Sequence, residues 1–235
     1  TRFTGLPIIY LTTESPVVSK EDYVNGTFHL EGGREYNSVD EMAMEIRGRG
    51  NSTWFVHPKK PYQMKLESKR DLFGMLEDKK WFFLAEYSDK TLVRNHLAFA
   101  LGHRTTLTWT PSGHFAEVFV NGEHGGFYHI TEKVEDGSNR VDIGDTGFLL
   151  EIDQPDRLDP DDVSFQTPTY LINIKEPGLA YSDPEFAQVR QHINDFETVL
   201  FSNAFADPTN GYRAYADVDS FIDWFLVNEL SLIHI

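Results

Sequence analysis

The sequence predicts an α+β chain, with a β-rich front and a helical back. Three observations carry this. Short runs of alternating apolar and polar residues recur as far as Val134, and an Asn-Gly pair sits between two of them. Beyond Asp183, apolar residues fall at three- and four-residue spacing, the helical period. Strands gathered first and helices gathered later are the pattern of an α+β fold with two lobes.

Leu6–Thr12 (LPIIYLT) is a short apolar run of strand type. Thr27–Leu30 and Ala43–Arg47 follow, the second with Met44 and Ile46 alternating against Glu45 and Arg47. A Gly-punctuated loop, RGRGNSTW, spans Arg47 to Trp54. Pro61–Leu66 resumes the alternation, with Tyr62, Met64 and Leu66 on one face and Gln63 and Lys65 on the other. Trp81–Ala85 is wholly apolar, which suits a buried strand or the approach to a helix. Ser88 is placed to cap a helix from Asp89 to Leu101 that Gly102 ends, with Val93, Leu97 and Ala100 at helical spacing. His114–Val120 and Gly126–Val134 flank Asn121-Gly122, a favoured hairpin turn pair, although Glu123–Gly125 allows a longer turn. Gly147–Asp153 reads as a further strand, and an acidic, proline-punctuated loop runs from Gln154 to Thr169. Asp183-Pro184 supplies a cap and first-turn proline to a helix whose stripe is Phe186, Val189, Ile193, Phe196 and Leu200. Asp207-Pro208 stops it, and a second helix begins near Asp219 with Phe221, Ile222, Phe225 and Leu226.

Of 235 residues, 40% are hydrophobic and 14% aromatic, enough for a sizeable core in one domain or two packed lobes. Lys and Arg number 21 against 37 Asp and Glu, a formal charge of −16. That surface repels phosphate backbones, so nucleic acid and anionic membrane are poor candidates for partners, whereas a basic peptide or a metal-escorted anion is compatible with it. The lack of cysteine excludes disulfides, thiolate metal sites, iron–sulfur clusters and cysteine nucleophiles. No apolar run approaches the roughly 20 residues of a membrane helix. The nine histidines show no HExxH spacing, and no GxSxG elbow occurs, which sets aside common zinc sites and α/β-hydrolase chemistry.

RGRGNST is the first segment of chemical interest. Gly48 and Gly50 permit backbone conformations closed to other residues, and Asn51, Ser52 and Thr53 are small hydrogen-bonding groups. Such a loop presents amides and hydroxyls to an anion, with Arg47 or Arg49 adding charge. It matches neither GxxxxGK[ST] nor GxGxxG, and a tight β-turn enclosing a glycosylation-type triplet accounts for the same residues. Lys59, Lys60 and Lys65 follow in an otherwise acidic chain; Lys65 either reaches phosphate oxygens or lies along a solvated strand face. Glu151 and Asp153, two apart on a strand, share a face at about 6.5–7 Å. They suit a hard cation, a division of acid and base roles, or a plain sheet edge. Their separation also fits an inverting glycosidase, but nothing else in the sequence builds a sugar cleft.

Taken in order, LPIIYLTTE, RGRGNSTW with PKKPYQMKLE, DKKWFFLAEYSDKTLVRNHLAFALG, FAEVFVNGEHGGFYHITEKVE, NRVDI, GFLLEID, INIKEPG and DVDSFIDWFLVNEL resemble the CotH kinase family. These are atypical protein kinases named after spore coat protein H. The segments cover nearly all of residues 6–230, and a mild departure is Phe148, where Tyr is commoner. The resemblance implies an atypical protein-kinase-like bilobal fold, with residues 1–134 as a β-rich N-lobe and 135–230 as a helical, incomplete C-lobe. It implies binding of ATP and Mg2+, phosphorylation of Ser or Thr in proteins, and a bacterial secreted, cell-surface or spore-coat setting. Arg49, Gly50, Asn51 and Ser52 match the family's Arg-Gly-Asn-Ser motif; Lys65 matches the lysine of the strand after the Pro-Lys-Lys turn. Glu132 matches the glutamate of a Tyr-x-x-x-Glu stretch that looks like the hinge between lobes. The helix from Asp89 to Leu101 stands where a kinase's regulatory helix does, yet holds no Glu, so the usual Lys–Glu ion pair lacks its acid there.

The larger departure lies downstream. The family's Val-Asn-Glu-Leu helix is followed by Asn-x-Asp and later Trp-Asp-Phe-Asp segments, which are expected to supply the catalytic and metal-binding aspartates. Here Asn228-Glu229 leads into LSLIHI, which the transposase end sequence used in library preparation encodes in one reading frame. The expectation is that residues 231–235 are an adapter-encoded tail, with natural truncation as the alternative. The competing functional reading is a non-catalytic structural or adhesion module on a kinase-like scaffold. Acid is dense from Asp153 to Asp162, where five aspartates face only Arg157, and this predicts Ser or Thr substrates with basic flanks.

Overall fold

The computed structural model describes residues 4–232. Alternation in the front half becomes seven strands: β1 (Ile8–Thr13), β2 (Val24–Glu31), β3 (Val39–Gly48), β4 (Tyr62–Arg70), β5 (Asp78–Leu84), β6 (Gly113–Val120) and β7 (Glu123–Glu132). They close into a barrel in the order β1-β2-β3-β4-β5-β7-β6. Closure comes from β6 lying parallel to β1, with Ile8 opposite Glu117 and Leu11 opposite Val120; the other neighbours are antiparallel. A closed barrel leaves no sheet edge to recruit another chain. One residue in two faces inward, so Ile9 and Leu11, Phe28 and Leu30, Met44 and Ile46, Met64 and Leu66, and Trp81 and Phe83 fill the interior. Trp81, Phe28 and Phe83 are the largest side chains wholly removed from water.

The hairpin between β6 and β7 turns where the sequence predicts, with Asn121 at φ 51° and Gly122 at φ 82°, as a tight turn with two left-handed residues requires. Two short helices interrupt the strands: α1 (Ser52–Val56) and α2 (Arg94–Gly102). α2 starts five residues later than predicted, and Ser88 does not cap it. Asp89 folds the chain back instead, accepting hydrogen bonds from the Thr91 N–H and hydroxyl and from the Arg94 N–H, while Leu92 takes φ 64°.

The barrel belongs to one compact unit of the chain, and residues 134–226 belong to a second. A helical second half is expected, but this unit carries a three-stranded antiparallel sheet of β8 (Leu149–Asp153), β9 (Val163–Gln166) and β10 (Leu171–Glu176), ordered β8-β10-β9. β9 and β10 arise within and just after the predicted acidic loop. β9 offers only four residues of alternation, and β10 buries the polar Asn173 between Ile172 and Ile174, which breaks the pattern. The unit's core joins Phe165, Ile172 and Ile174 to Phe186 and Val189 of α3 (Pro184–Leu200), the helix that starts at the predicted cap and proline. α4 (Val218–Leu232) follows; the rest of the predicted tail, residues 233–235, lies outside the described residues. The fold is thus mixed α+β, sheet-rich with few helices. Among the described residues no helix is long and apolar enough to cross a membrane.

Candidate functional site

β3 ends on Gly48 because only glycine fits there: a Cβ would lie 2.5 Å from the Trp54 ring. Trp54, buried in α1, therefore closes over the strand end and fixes the loop between them. The Arg49 N–H donates to the Pro61 carbonyl at 3.2 Å, and its guanidinium stands 4.2 Å above the Phe82 ring. Burial pulls the Arg49 pKa below its ordinary value. Gly50 has φ 79°, which a side chain would strain. The Asn51 carbonyl then accepts from the Trp54 and Phe55 N–H groups and starts α1, leaving the side chains of Asn51, Ser52 and Thr53 exposed.

A cavity of about 340 Å³ opens beside this loop, within the size range of small-molecule sites. Arg49 and Thr53 line it with Lys59, with the Leu84–Asp89 segment that leaves β5, and with Arg94 and Asn95 of α2. Lys59 turns inward: its ammonium donates to the Ala85 carbonyl at 2.8 Å and to the Phe127 carbonyl, 4.2 Å from the Tyr128 ring centre. Burial lowers its pKa, and the charges of Glu86 and Glu117 partly oppose that. Glu86 occupies the left-handed region at φ 50°, a strained conformation for a residue with a side chain. Both its carboxylate oxygens accept from the Asn95 amide, at 3.0 and 3.1 Å, and one lies 3.4 Å from Nδ1 of the buried His129. Ser88 and His57 pair at 2.6 Å on the rim.

Residues 46–232 match the family model described as CotH kinase protein. The chain belongs to this family. No curated protein matches it.

In this CotH-family chain the cavity brings in Arg49 of the Arg-Gly-Asn-Ser motif, with Gly50, Asn51 and Ser52 on the adjoining loop. It does not bring in Lys65 or Glu132. Lys65 projects from β4 to an ion pair with Glu45 of β3 at 2.9 Å, both side chains about two-fifths exposed, and lines a separate groove with Thr27 and Lys79. Glu132 is buried at the end of β7, where it accepts the Ser112 N–H at 2.8 Å. Sequence reasoning named Lys59 only as one of three lysines and did not single out Glu86. The only signal for Glu86 is that it is the first acid after the buried WFFLA run; for Lys59 it is the cluster of lysines in an acidic chain.

Asp89 ties the cavity wall to α2 and titrates accordingly. Burial alone would raise its carboxyl, but bonds from Thr91 and Arg94 and the Arg94 charge outweigh this and hold it at about 2, against 3.8 ordinarily. A group whose folded pKa is depressed contributes stability above its unfolded pKa and loses it as pH falls through the folded one. Asp89→Asn should therefore cost about 1.5–3 kcal/mol at neutral pH, typical of lost hydrogen bonds to a charged acceptor. Denaturant unfolding of both proteins should show the gap constant above about pH 5 and shrinking towards pH 2. A gap that widens in acid would contradict the assignment.

Proposed function

We propose that this chain is the nucleotide-binding part of an ATP- and Mg2+-dependent protein kinase acting on Ser and Thr, with the triphosphate entering the cavity between Arg49 and Lys59. Residues 1–134 act as the nucleotide lobe and 135–230 as part of the second lobe of a bilobal kinase. The supporting observation is the pair of cations. Burial depresses both, both line one cavity, and neither forms an ion pair among the described residues. Desolvated cations are costly, Glu86 and Glu117 offset the burial of Lys59 only in part, and polyphosphate is the anion that family membership points to. Phosphoryl transfer rests on positioning and charge neutralisation, so such a pair is what the reaction needs from this region.

Lys59 takes the phosphate role that the family match gives to Lys65. Glu86 is the acid that α2 lacks: it raises the Lys59 pKa through space from the segment just before that helix. The acids of the cavity wall do not suit a metal. Glu86 is engaged by Asn95 and His129, and Asp89 by Thr91 and Arg94. Mg2+ is therefore assigned to the incoming triphosphate, its common mode of binding. The substrate is a protein with Ser or Thr flanked by basic residues, and the setting is a bacterial surface or spore coat. Calorimetric titration of the purified chain with ATP and Mg2+ should give one saturable site. Absence of saturable heat at millimolar ATP would instead leave a structural module on the same scaffold.

A further inference from the structure

The three-stranded sheet of the second unit is open, so it has two edge strands, β8 and β9. An edge strand carries a row of backbone N–H and C=O groups with no neighbouring strand to pair with. The two edges are finished differently. On β9 the Tyr181 hydroxyl accepts the Ser164 N–H at 3.3 Å and donates to the Asp162 carbonyl at 3.5 Å, so a side chain caps that edge. β8 pairs with β10 alone, and the backbone of Leu149–Asp153 bonds to nothing else among the described residues. Its side chains divide between two faces. Leu150 and Ile152 lie opposite Ile174 and Ile172, on the face that packs against α3, and Ile152 is 67% exposed. Glu151 and Asp153 lie opposite Asn173 and Leu171, on the other face. The loop that follows adds exposed Asp156, Asp159 and Asp161, with Arg157 the one cation among them. Lys175 stands 4.0 Å from Glu151 and 3.5 Å from Asp162, yet the Glu151 side chain is still over half exposed.

We propose that β8 takes an extended basic peptide as a fourth strand, one with basic residues at every second position and apolar residues between them. An added strand is held by main-chain hydrogen bonds and selected through its alternate side chains. One set of the partner's side chains would stand beside Glu151 and Asp153, where a basic residue makes an opposite-charge cross-strand pair. The other set would stand beside Leu150 and Ile152, where an apolar residue covers what Ile152 exposes. The acidic loop beyond β8 attracts the same cationic partner over a longer range. A second copy of this chain does not suit the edge. Pairing β8 with itself brings the carboxylates of Glu151 and Asp153 together on one face, and like charges across a pair of strands are destabilising. This docking mode rests on the reading of a basic protein partner and is independent of the nucleotide cavity.

The test titrates the full chain, free of nucleotide, into a short fluorescein-labelled peptide of alternating lysine and valine and reads fluorescence anisotropy. Saturable binding is expected, weakening as salt rises. Two further peptides are N-methylated, one at the lysines and one at the valines. Alternate residues of an antiparallel strand turn their N–H groups to the same side, so only one of the two should lose affinity, by at least about tenfold. Ile152→Lys, at an exposed position that leaves the fold intact, should weaken binding several-fold by setting a like charge on the edge. Glu151→Gln should weaken it by up to about fivefold, the worth of one cross-strand charge pair. Equal loss from both methylated peptides, or from neither, overturns strand addition and leaves the basic partner standing. Equal binding of an alternating glutamate and valine peptide removes the basic partner as well. No saturable binding up to about 1 mM peptide overturns the site. So does a dimer of the chain that Ile152→Lys dissociates, which would give the edge to a second copy.

Discussion

Lys59→Ala and Arg49→Ala should each weaken ATP binding by about tenfold to a hundredfold, while Lys65→Ala leaves it within about twofold. A hydrogen bond to a charged group contributes about 1.5–3 kcal/mol, and 1.4 kcal/mol is a factor of ten in affinity. The two cations act from desolvated positions, where screening by solvent is weak, so their loss should be felt near the upper end of that range. Lys65 is two-fifths exposed and already paired with Glu45, so a phosphate would compete with that carboxylate. Lys59 also supports the carbonyls of Ala85 and Phe127, and its removal lowers stability as well as affinity. Arg49→Ala separates the two effects, because its guanidinium packs on Phe82 without bonding a carbonyl among the described residues. Calorimetry with thermal unfolding on the same samples checks this. Full ATP affinity in Arg49→Ala, with Lys59→Ala affected only in stability, would remove the nucleotide from this cavity.

The strands were legible wherever one face is buried, because alternation records that face directly. Met44, Ile46, Met64 and Leu66 read correctly as inward residues. Closure of the barrel was not legible, since the β1–β6 pairing joins residues more than a hundred positions apart and leaves no local mark. The same contrast governs the site. Asn121-Gly122 was readable as a turn because it depends on local sterics, whereas of the two glycines read as conformationally special only Gly50 is left-handed, and Gly48 is required by the Trp54 ring against it. Lys65 sits where alternation puts it, on the face of β4 away from Met64 and Leu66; the inference from face to phosphate contact is what the geometry does not support. Lys59 precedes the strand, so periodicity says nothing of its direction. Carbonyls of two distant segments capture it. Glu86 owes its position to a strained backbone and to His129, a partner 43 residues away, and neither has a sequence signature.

Purified residues 1–235 should bind ATP and transfer none of it. The resemblance assigns the catalytic and metal-holding aspartates to Asn-x-Asp and Trp-Asp-Phe-Asp segments, and neither pattern occurs in the sequence. Without them the charge developing on the transferred phosphoryl group is met only from the Arg49 and Lys59 side, and no carboxylate is assigned to take the acceptor hydroxyl's proton. Binding and chemistry should therefore separate, with saturable calorimetric heat and no label moved from radiolabelled ATP to a basic protein or to the chain itself. A chain that carries both segments should transfer phosphate, and peptides with basic flanks should be preferred at low salt, the preference shrinking as salt screens the acidic loop. Transfer above the protein-free blank by residues 1–235 alone would move the catalytic work onto groups already present. Glu86 would be the first to replace, since it is the buried carboxylate on the cavity wall whose charge already reaches Lys59.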